Sequence, residues 1–502
     1  MQVKLYEKYS SLERALITIA VMSATLIQVL DTTIVNVALP SMQGSLGATP
    51  DEITWVLTSY LVASAIFMPL TGYFTDIFGR KNYLLVCILG FIIASGLCGT
   101  AGSISQIVLF RMLQGVFGAA LVPLSQTILN DIYPPEERGK AMAIWGIGVM
   151  IGPILGPTLG GYLTEIASWR WTFYINLPIG ILSFLIAIKV TPDTEKQSRA
   201  MDWRGLALVA LAIGGLQYVL DRGNGADWFE SNEILIVSIA SAIGFLGYYL
   251  HYKSSNKSTI IDLSLFKDKN FVISSSIISI FGICLFGSMV MLPLYLENLL
   301  HYPVLTTGFL MAPRGISAMV SMIVVSKLVK TIKPQYLVGF GLIFCGLGLI
   351  PGTFYNLDVN PWWIVWPLLV QGFGLGFVFV PLSAIAFNTL PEAKRPEAAG
   401  LFSLLRTIGS SIGISIIVTI FTRHTQIAWN QLGSEINIYN PALTQYLQSL
   451  NLKLNDPLAI NLLASELSTQ AQMLAFVDVY AAILFSVVIM LPLIFFIKGS
   501  KN

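Results

Sequence analysis

Residues 123–130 read PLSQTILN and residues 381–388 read PLSAIAFN. Proline, leucine, serine and asparagine recur in register, about half a chain apart. The likeness continues outward from both octamers. Upstream, Gln114 and Gly115 match Gln371 and Gly372 with a one-residue shift; downstream, YPPEERGK at 133–140 answers LPEAKRPE at 390–397, and each is followed by a glycine-rich apolar run. An octamer alone could be chance. Agreement on both flanks predicts a duplicated half, with the two copies running in the same direction.

Each copy sits in a long apolar run, and such runs fill almost the whole chain. A hydrocarbon core of about 30 Å needs about 20 apolar residues per helical crossing. Fourteen runs qualify, near 14–38, 53–73, 83–102, 106–128, 140–162, 170–189, 204–222, 232–251, 271–296, 306–328, 336–356, 362–387, 399–422 and 475–497. A hydrophobic fraction of 55%, a charged fraction of 11% and a mean hydropathy of +0.73 exclude a soluble globular domain. An all-α polytopic membrane protein with 14 transmembrane helices is predicted.

Basic residues sit in alternate gaps. Lys4, Lys8 and Arg14 precede span 1; Arg80 and Lys81, Arg138 and Lys140, then Lys189 to Arg204, follow at every second gap, and the alternation holds to Lys498 and Lys501. Positively charged loops stay inside during insertion, which puts both termini in the cytoplasm; an even number of spans requires the same. The net charge of +2 then reports topology, and nucleic acid is not an expected partner. Arg14 and the run after it resemble a signal peptide superficially, but the run is too long and lacks a small-residue cleavage site. Cys87, Cys98, Cys284 and Cys345 fall within spans and suggest no disulfide framework. Three scattered histidines offer no metal-ligand spacing, and no hydrolase triad or phosphate-cradling loop is evident, so neither an enzyme nor a metal site is expected.

The repeat makes spans 4 and 12 equivalent. Residues 1–190 then form a six-helix bundle of spans 1–6, and residues 271–502 a second bundle of spans 9–14. Residues 191–270 hold an inserted pair, spans 7 and 8. Parallel repeats about an axis along the membrane normal place a substrate site between the halves in secondary transporters. The polar stretch 424–474, between spans 13 and 14, fits an ordered cap as well as a flexible loop.

Charges deep in a span are costly and mark functional positions by default. Asp31 lies nine residues before Pro40, about 13 Å deep at about 1.5 Å per residue, with Gln28 one turn away. Arg111 is about 8 Å into span 4 by the same rise and shares a face with Gln114, Gly115 and Gly118. Two readings stand: a structural ion pair, or a carboxylate that takes up and releases a proton beside Arg111. The repeat leans toward the second, since the counterpart of Arg111 falls near Leu368. Arg314 and Arg406 are the other buried cations and read first as structural; Arg406 is close enough to the cytoplasmic end to snorkel. Glu297, Asp221 and Asp478 read as interfacial.

Span 5 carries GIGVMIGPILGPTLGG at 146–161, with Gly148, Gly152, Gly156 and Gly160 at four-residue intervals and Pro153 and Pro157 among them. Such a stripe lets another helix approach closely, and the prolines remove backbone donors and bend a helix. Between spans 2 and 3, GYFTDIFGRK at 72–81 combines a close-approach Gly72, an acceptor Asp76, a turn at Gly79 and the bases Arg80 and Lys81. Acid, turn and base at that spacing suggest a cytoplasmic latch. By position, spans 1, 4, 9 and 12 line the cavity, with Gln28, Gln114 and Gln371 as polar contacts and Tyr295 and Phe373 as aromatic surface.

These motifs resemble those of a known family. GYFTDIFGRK is similar to the signature between helices 2 and 3 of major-facilitator transporters, and GIGVMIGPILGPTLGG to the span-5 signature of their antiporters. LDTTIVNVALP at 30–40 and RMLQGVFGAALVPLSQ at 111–126 resemble the span-1 and span-4 motifs of drug:proton antiporters with fourteen spans. WRWTFYINLPIG at 169–180 and LDRGNGADWF at 220–229 are similar to the inner-membrane subunit of Emr-type multidrug exporters. The resemblance implies a major facilitator fold and alternating access driven by the proton gradient, with no cofactor. It implies a proton-linked carboxylate at Asp31 with Arg111, and a latch at Asp76, Gly79 and Arg80. It also implies a bacterial inner membrane location, hydrophobic drugs as substrates, and a periplasmic adaptor (membrane fusion protein) and outer-membrane channel as partners. The counterpart of the latch, SMIVVSKLVK at 321–330, lacks the acid and the glycines. An exporter of one endogenous metabolite, such as a siderophore or a lipid, is the competing expectation, and a non-transporting sensor a weaker one.

Overall fold

The computed structural model describes residues 9–134, 137–191, 193, 201–255, 259–329, 331–391, 394–437, 439–450, 452 and 456–496. Among them there is no β-strand, and fourteen helices are long and apolar enough to cross a membrane. In chain order these are α1 (Ser11–Leu46), α2 (Glu52–Phe78), α3 (Arg80–Thr100), α4 (Ile104–Ile132), α5 (Arg138–Ile166), α6 (Trp171–Val190), α7 (Trp203–Arg222), α8 (Asn232–Ser254), α9 (Lys269–Leu299), α10 (Thr306–Leu328), α11 (Pro334–Phe354), α12 (Pro361–Asn388), α13 (Arg395–Ser434) and α14 (Pro457–Phe496). They correspond one to one with the fourteen apolar runs. The chain is a polytopic helical membrane protein.

Local chemistry sets the helix ends. Ser10 caps α1, accepting from the Glu13 backbone while Glu13 reaches back to the Ser10 N–H at 2.8 Å; Thr49 and Glu52 do the same before α2. This reciprocal box satisfies donors that a helix start leaves open. Gly47, at φ 62, closes α1 in the left-handed region that glycine enters freely. Pro40 does not end α1, which continues to Leu46. Along α8, Ile236, Ile239, Ile243, Leu246 and Leu250 are all exposed, a stripe at helical spacing that suits lipid.

The two halves repeat one packing pattern. In the first, α5 packs on α1, α4 on α2 and α3, and α6 on α1; in the second, α13 packs on α9, α12 on α10 and α11, and α14 on α9. Across the boundary, α5 packs along α10, and α13 meets α2 and α4. The inserted α7 and α8 form a hairpin in which Ser241 donates to the Ala212 carbonyl at 2.6 Å. α7 lies against both α2 and α13. Arg222 donates to Thr54 of α2 at 2.6 Å and Gln217 to Ser411 of α13 at 2.9 Å. Thr58 of α2 donates to Asp221, so that exposed carboxylate is also an interhelix contact.

The stretch 424–474 is largely helical. α13 runs on to Ser434, a short helix spans Pro441–Ser449, and α14 begins at Pro457. Where the α13 extension begins, His424 meets Asp478 of α14 at 2.7 Å. At about 1.5 Å per residue, a helix of 40 residues is about 60 Å long, twice a hydrocarbon core.

Candidate functional site

Asp31 is fully buried and Arg111 is 1% exposed. Arg111 Nη1 donates to Asp31 Oδ2 at 2.5 Å and to Gln114 Oε1 at 2.8 Å, and its Nε donates to the Val56 carbonyl at 3.0 Å. The other carboxylate oxygen, Oδ1, accepts from Gln114 Nε2 at 2.8 Å and from Asn176 Nδ2 at 3.0 Å. The Tyr60 ring lies 4.2 Å from the guanidinium carbon, and Gln28 donates to the Tyr60 hydroxyl at 3.1 Å. Six helices therefore converge on one carboxylate or its partners: α1, α2, α4 and α6 directly, α3 through Ser95, which accepts from Asn176 at 3.1 Å, and Cys98, which donates to Gln114 at 3.6 Å, and α5 through the glycine stripe. Burying two charges is repaid only with good geometry and further hydrogen bonds, and both conditions are met.

Asn176 was not among the residues the sequence singled out. It stands inside WRWTFYINLPIG, a lone amide at the head of an apolar span, and that position was the available signal. Gln114 was expected in the cavity wall. It is instead fully buried against Asp31, because its position one turn from Arg111 aims it along the same face. Gln28 is likewise 7% exposed and committed to Tyr60.

The glycine stripe of α5 lies on α1. A Cβ at Gly152 would stand 2.7 Å from the Val29 carbonyl carbon, one at Gly156 3.2 Å from the Ile34 nitrogen, and one at Gly160 2.6 Å from the Ile34 oxygen; Gly148 faces Met22. Thr33 donates to the Gly152 carbonyl at 3.1 Å. The stripe thus fixes the α1 backbone on both sides of Asp31. α5 runs as one helix through Pro153 and the half-buried Pro157.

The remaining cavity candidates fall elsewhere. Tyr295 is fully buried, donates to the Asn356 carbonyl at 2.5 Å and stacks on Phe476 at 4.5 Å; it is a core residue of the second half, since α14 covers it. Phe373 packs on Phe344 and Phe377 at 5.8 and 5.2 Å, facing α11. Gln371 is 1% exposed and donates to Ser288 of α9 at 3.4 Å. A neutral serine thus meets this glutamine, where its first-half counterpart meets Asp31. Arg314 is 6% exposed and donates to the Leu285 carbonyl at 3.1 Å. Arg406 does not snorkel: its guanidinium carbon sits 5.8 Å from the Trp145 ring of α5.

At the basic face, Gly79 has φ 82 and turns the chain from α2 into α3. Arg80 is 5% exposed and pairs with Asp131 of α4 at 2.8 Å, and Arg395 of α13 reaches the same carboxylate at 3.4 Å. A Cβ at Gly72 would stand 2.5 Å from the Glu397 backbone nitrogen, and one at Gly400 2.8 Å from the Met68 oxygen, so the halves meet backbone to backbone. Asp76 and Lys81 are half-buried beside this contact in sequence. Asp131 and Arg395 were missed. Arg395 lies in the matched polar loop 390–397, and Asp131 just after the octamer 123–130, in the last turn of α4.

A sequence model of the Major Facilitator Superfamily matches residues 21–414. The chain is 34% identical over 493 residues to the multidrug export protein EmrB of Escherichia coli K12, covering 96% of this chain and 95% of that one. It is 32% identical over 487 residues to the fatty acid resistance protein FarB of Neisseria gonorrhoeae, covering 96% of each. The fold matches the human organic anion transporter MFSD10 at a TM-score of 0.62 and 14% identity, over 94% of this chain and 99% of that one. It matches the proton:xylose symporter XylE at a TM-score of 0.62 and 14% identity, over 98% of both; both matches speak to fold alone.

Proposed function

The chain belongs to the Major Facilitator Superfamily, and from that premise we propose that it exports hydrophobic and amphipathic drugs in exchange for protons by alternating access. Its relatives are named for multidrug export and fatty acid resistance, and the chain is a transporter of that efflux class. The observation that carries the proton reading is the Asp31 carboxylate, fully buried and held by Arg111, Gln114 and Asn176.

Protonation removes the charge that binds Asp31 to Arg111 and loosens the tie among α1, α4 and α6. Because α5 is wedged against the α1 backbone beside Asp31, a shift of α1 carries α5 with it. α5 in turn lies along α10 of the other half. The halves, 1–190 and 271–502, then rock about the site, with the pair within 191–270 riding between α2 and α13. One proton moving down about 100 mV supplies about 2.3 kcal/mol, enough for a roughly 50-fold gradient.

The basic loops support cytoplasmic termini and a cytoplasmic Asp131 contact, and the likeness to bacterial exporters supports a bacterial inner membrane. The extended α13 and α14 then project outside, in reach of a periplasmic adaptor leading to an outer-membrane channel. The test is drug uptake into inverted vesicles under a proton gradient. Uptake should stop when both the pH gradient and the membrane potential are collapsed; uptake indifferent to that collapse sinks the proton reading.

A further inference from the structure

Three features outside the Asp31 cluster stand out: the polar contacts that tie α7 to α2 and α13, the helical extensions at 424–474, and Arg406. The last carries an inference about ligand chemistry. Arg406 lies about three turns into α13 from Arg395, yet it is half-buried rather than sealed. Among the described residues, its guanidinium makes no ion pair or hydrogen bond. Arg111 has Asp31, and Arg314 has a backbone carbonyl. The guanidinium of Arg406 meets only the Trp145 ring, at 5.8 Å.

Trp145 places this contact at the boundary between halves. It is 1% exposed and donates to Ser125 of α4 at 3.2 Å, and Ser125 accepts from Thr25 of α1 at 2.7 Å. Arg406 therefore reaches from the second half toward α1, α4 and α5 of the first. An arginine this deep without a counter-charge is expensive. An aromatic neighbour takes none of its N–H donors, and those donors suit a carboxylate in bidentate geometry. The acidic group nearest in function, Asp31, is fully buried and already paired, so it does not neutralise the charge presented here.

We propose that Arg406, beside Trp145, is the headgroup anchor for amphiphilic carboxylates, and sets a preference for anionic over cationic amphiphiles. The proposal rests on the exporter reading and names the substrate class of that transporter. An apolar tail would extend along the membrane-buried walls while the guanidinium holds the head.

The test uses the purified full chain and two probes, a dansylated undecanoate and tetraphenylphosphonium, with Arg406→Gln and Arg406→Lys. The wild type should bind the undecanoate. Arg406→Gln should lower the ratio of undecanoate to phosphonium affinity about tenfold or more, the size of losing a hydrogen bond to a charged group. Arg406→Lys should keep most of that ratio. An unchanged ratio in Arg406→Gln, equal weakening for both probes, or no undecanoate binding by the wild type would each overturn the proposal. Proteoliposome transport is measured separately. Binding without transport would sink the exporter reading and leave the anchor, whereas phosphonium export without undecanoate binding would do the reverse.

Discussion

Gly152 of α5 rests directly on Val29 of α1, two residues before the buried carboxylate of Asp31. A Cβ at position 152 would stand 2.7 Å from the Val29 carbonyl carbon and 2.8 Å from the Leu30 nitrogen. These neighbours are backbone atoms of a helix and cannot swing aside. Small residues permit such contact, and here the contact reaches the site where a proton would bind.

Gly152→Ala should therefore cut proton-driven transport sharply and cost about 1–3 kcal/mol of overpacking. Gly96→Ala is the control, because the nearest atom to a Cβ there is Leu177 Cδ2 at 3.9 Å. With helix propensity in its favour by about 1 kcal/mol, Gly96→Ala should be neutral or stabilising. Vesicle transport and thermal unfolding check both; equal behaviour of the two variants would deny the stripe its special role.

Asp31→Asn should abolish pH-gradient-driven export while leaving an inserted protein. Arg111 would retain the Val56 carbonyl, Gln114 and the Tyr60 ring, so the cation is not left bare. Asp31→Glu should keep some activity, as it retains a titratable group. Full gradient-driven export by the asparagine variant would return Asp31 to a structural role.

Asp131→Asn should open the basic face, since that carboxylate meets both Arg80 of one half and Arg395 of the other. Labelling of a cysteine placed near that mouth should rise several-fold, and turnover should slow more than drug binding weakens. Asp76→Ala is expected to act in the same direction. Unaltered labelling with normal turnover in both variants would remove the latch.

Asp262 ties the segment before α9 to the loop before α13. Burial pulls its pKa up, but Lys394 at 2.6 Å and Ser264 outweigh this and hold it below the ordinary carboxylate value. A depressed folded pKa stabilises above the unfolded value and is lost as pH falls. The contribution should be full at neutral pH and fade below about pH 4. Both side chains are partly exposed, at 23% and 41%, so it should not exceed about 1 kcal/mol. Thermal unfolding of wild type and Asp262→Asn should differ at pH 7 and converge on acidification. A constant gap would contradict this.

Replacing residues 435–456 with a short Gly/Ser connector removes the described helix Pro441–Ser449 but keeps α13 and α14. Transport into inverted vesicles should survive while resistance of intact cells falls, as loss of an outside partner requires. Retention of both would make the segment dispensable. Loss of both would tie it to folding or the transport cycle.

The sequence by itself determined the fourteen spans and the duplicated half, because apolar length is a local property and a bilayer tolerates no unsatisfied backbone. It also singled out Asp31 with Arg111, and the α5 stripe, through the rarity of buried charge and the period of the glycines. Tertiary structure alone decided which faces meet. A span that is apolar on every side carries little information about its rotation, so Tyr295 and Phe373 could not be told from cavity residues until α14 and α11 covered them. Nor could hydropathy show that Asn176 completes the carboxylate site from α6, or that Asp131 stands between two arginines far apart in sequence. Those pairings are set by helix packing, where close contact and hydrogen bonding, rather than water, choose the neighbours.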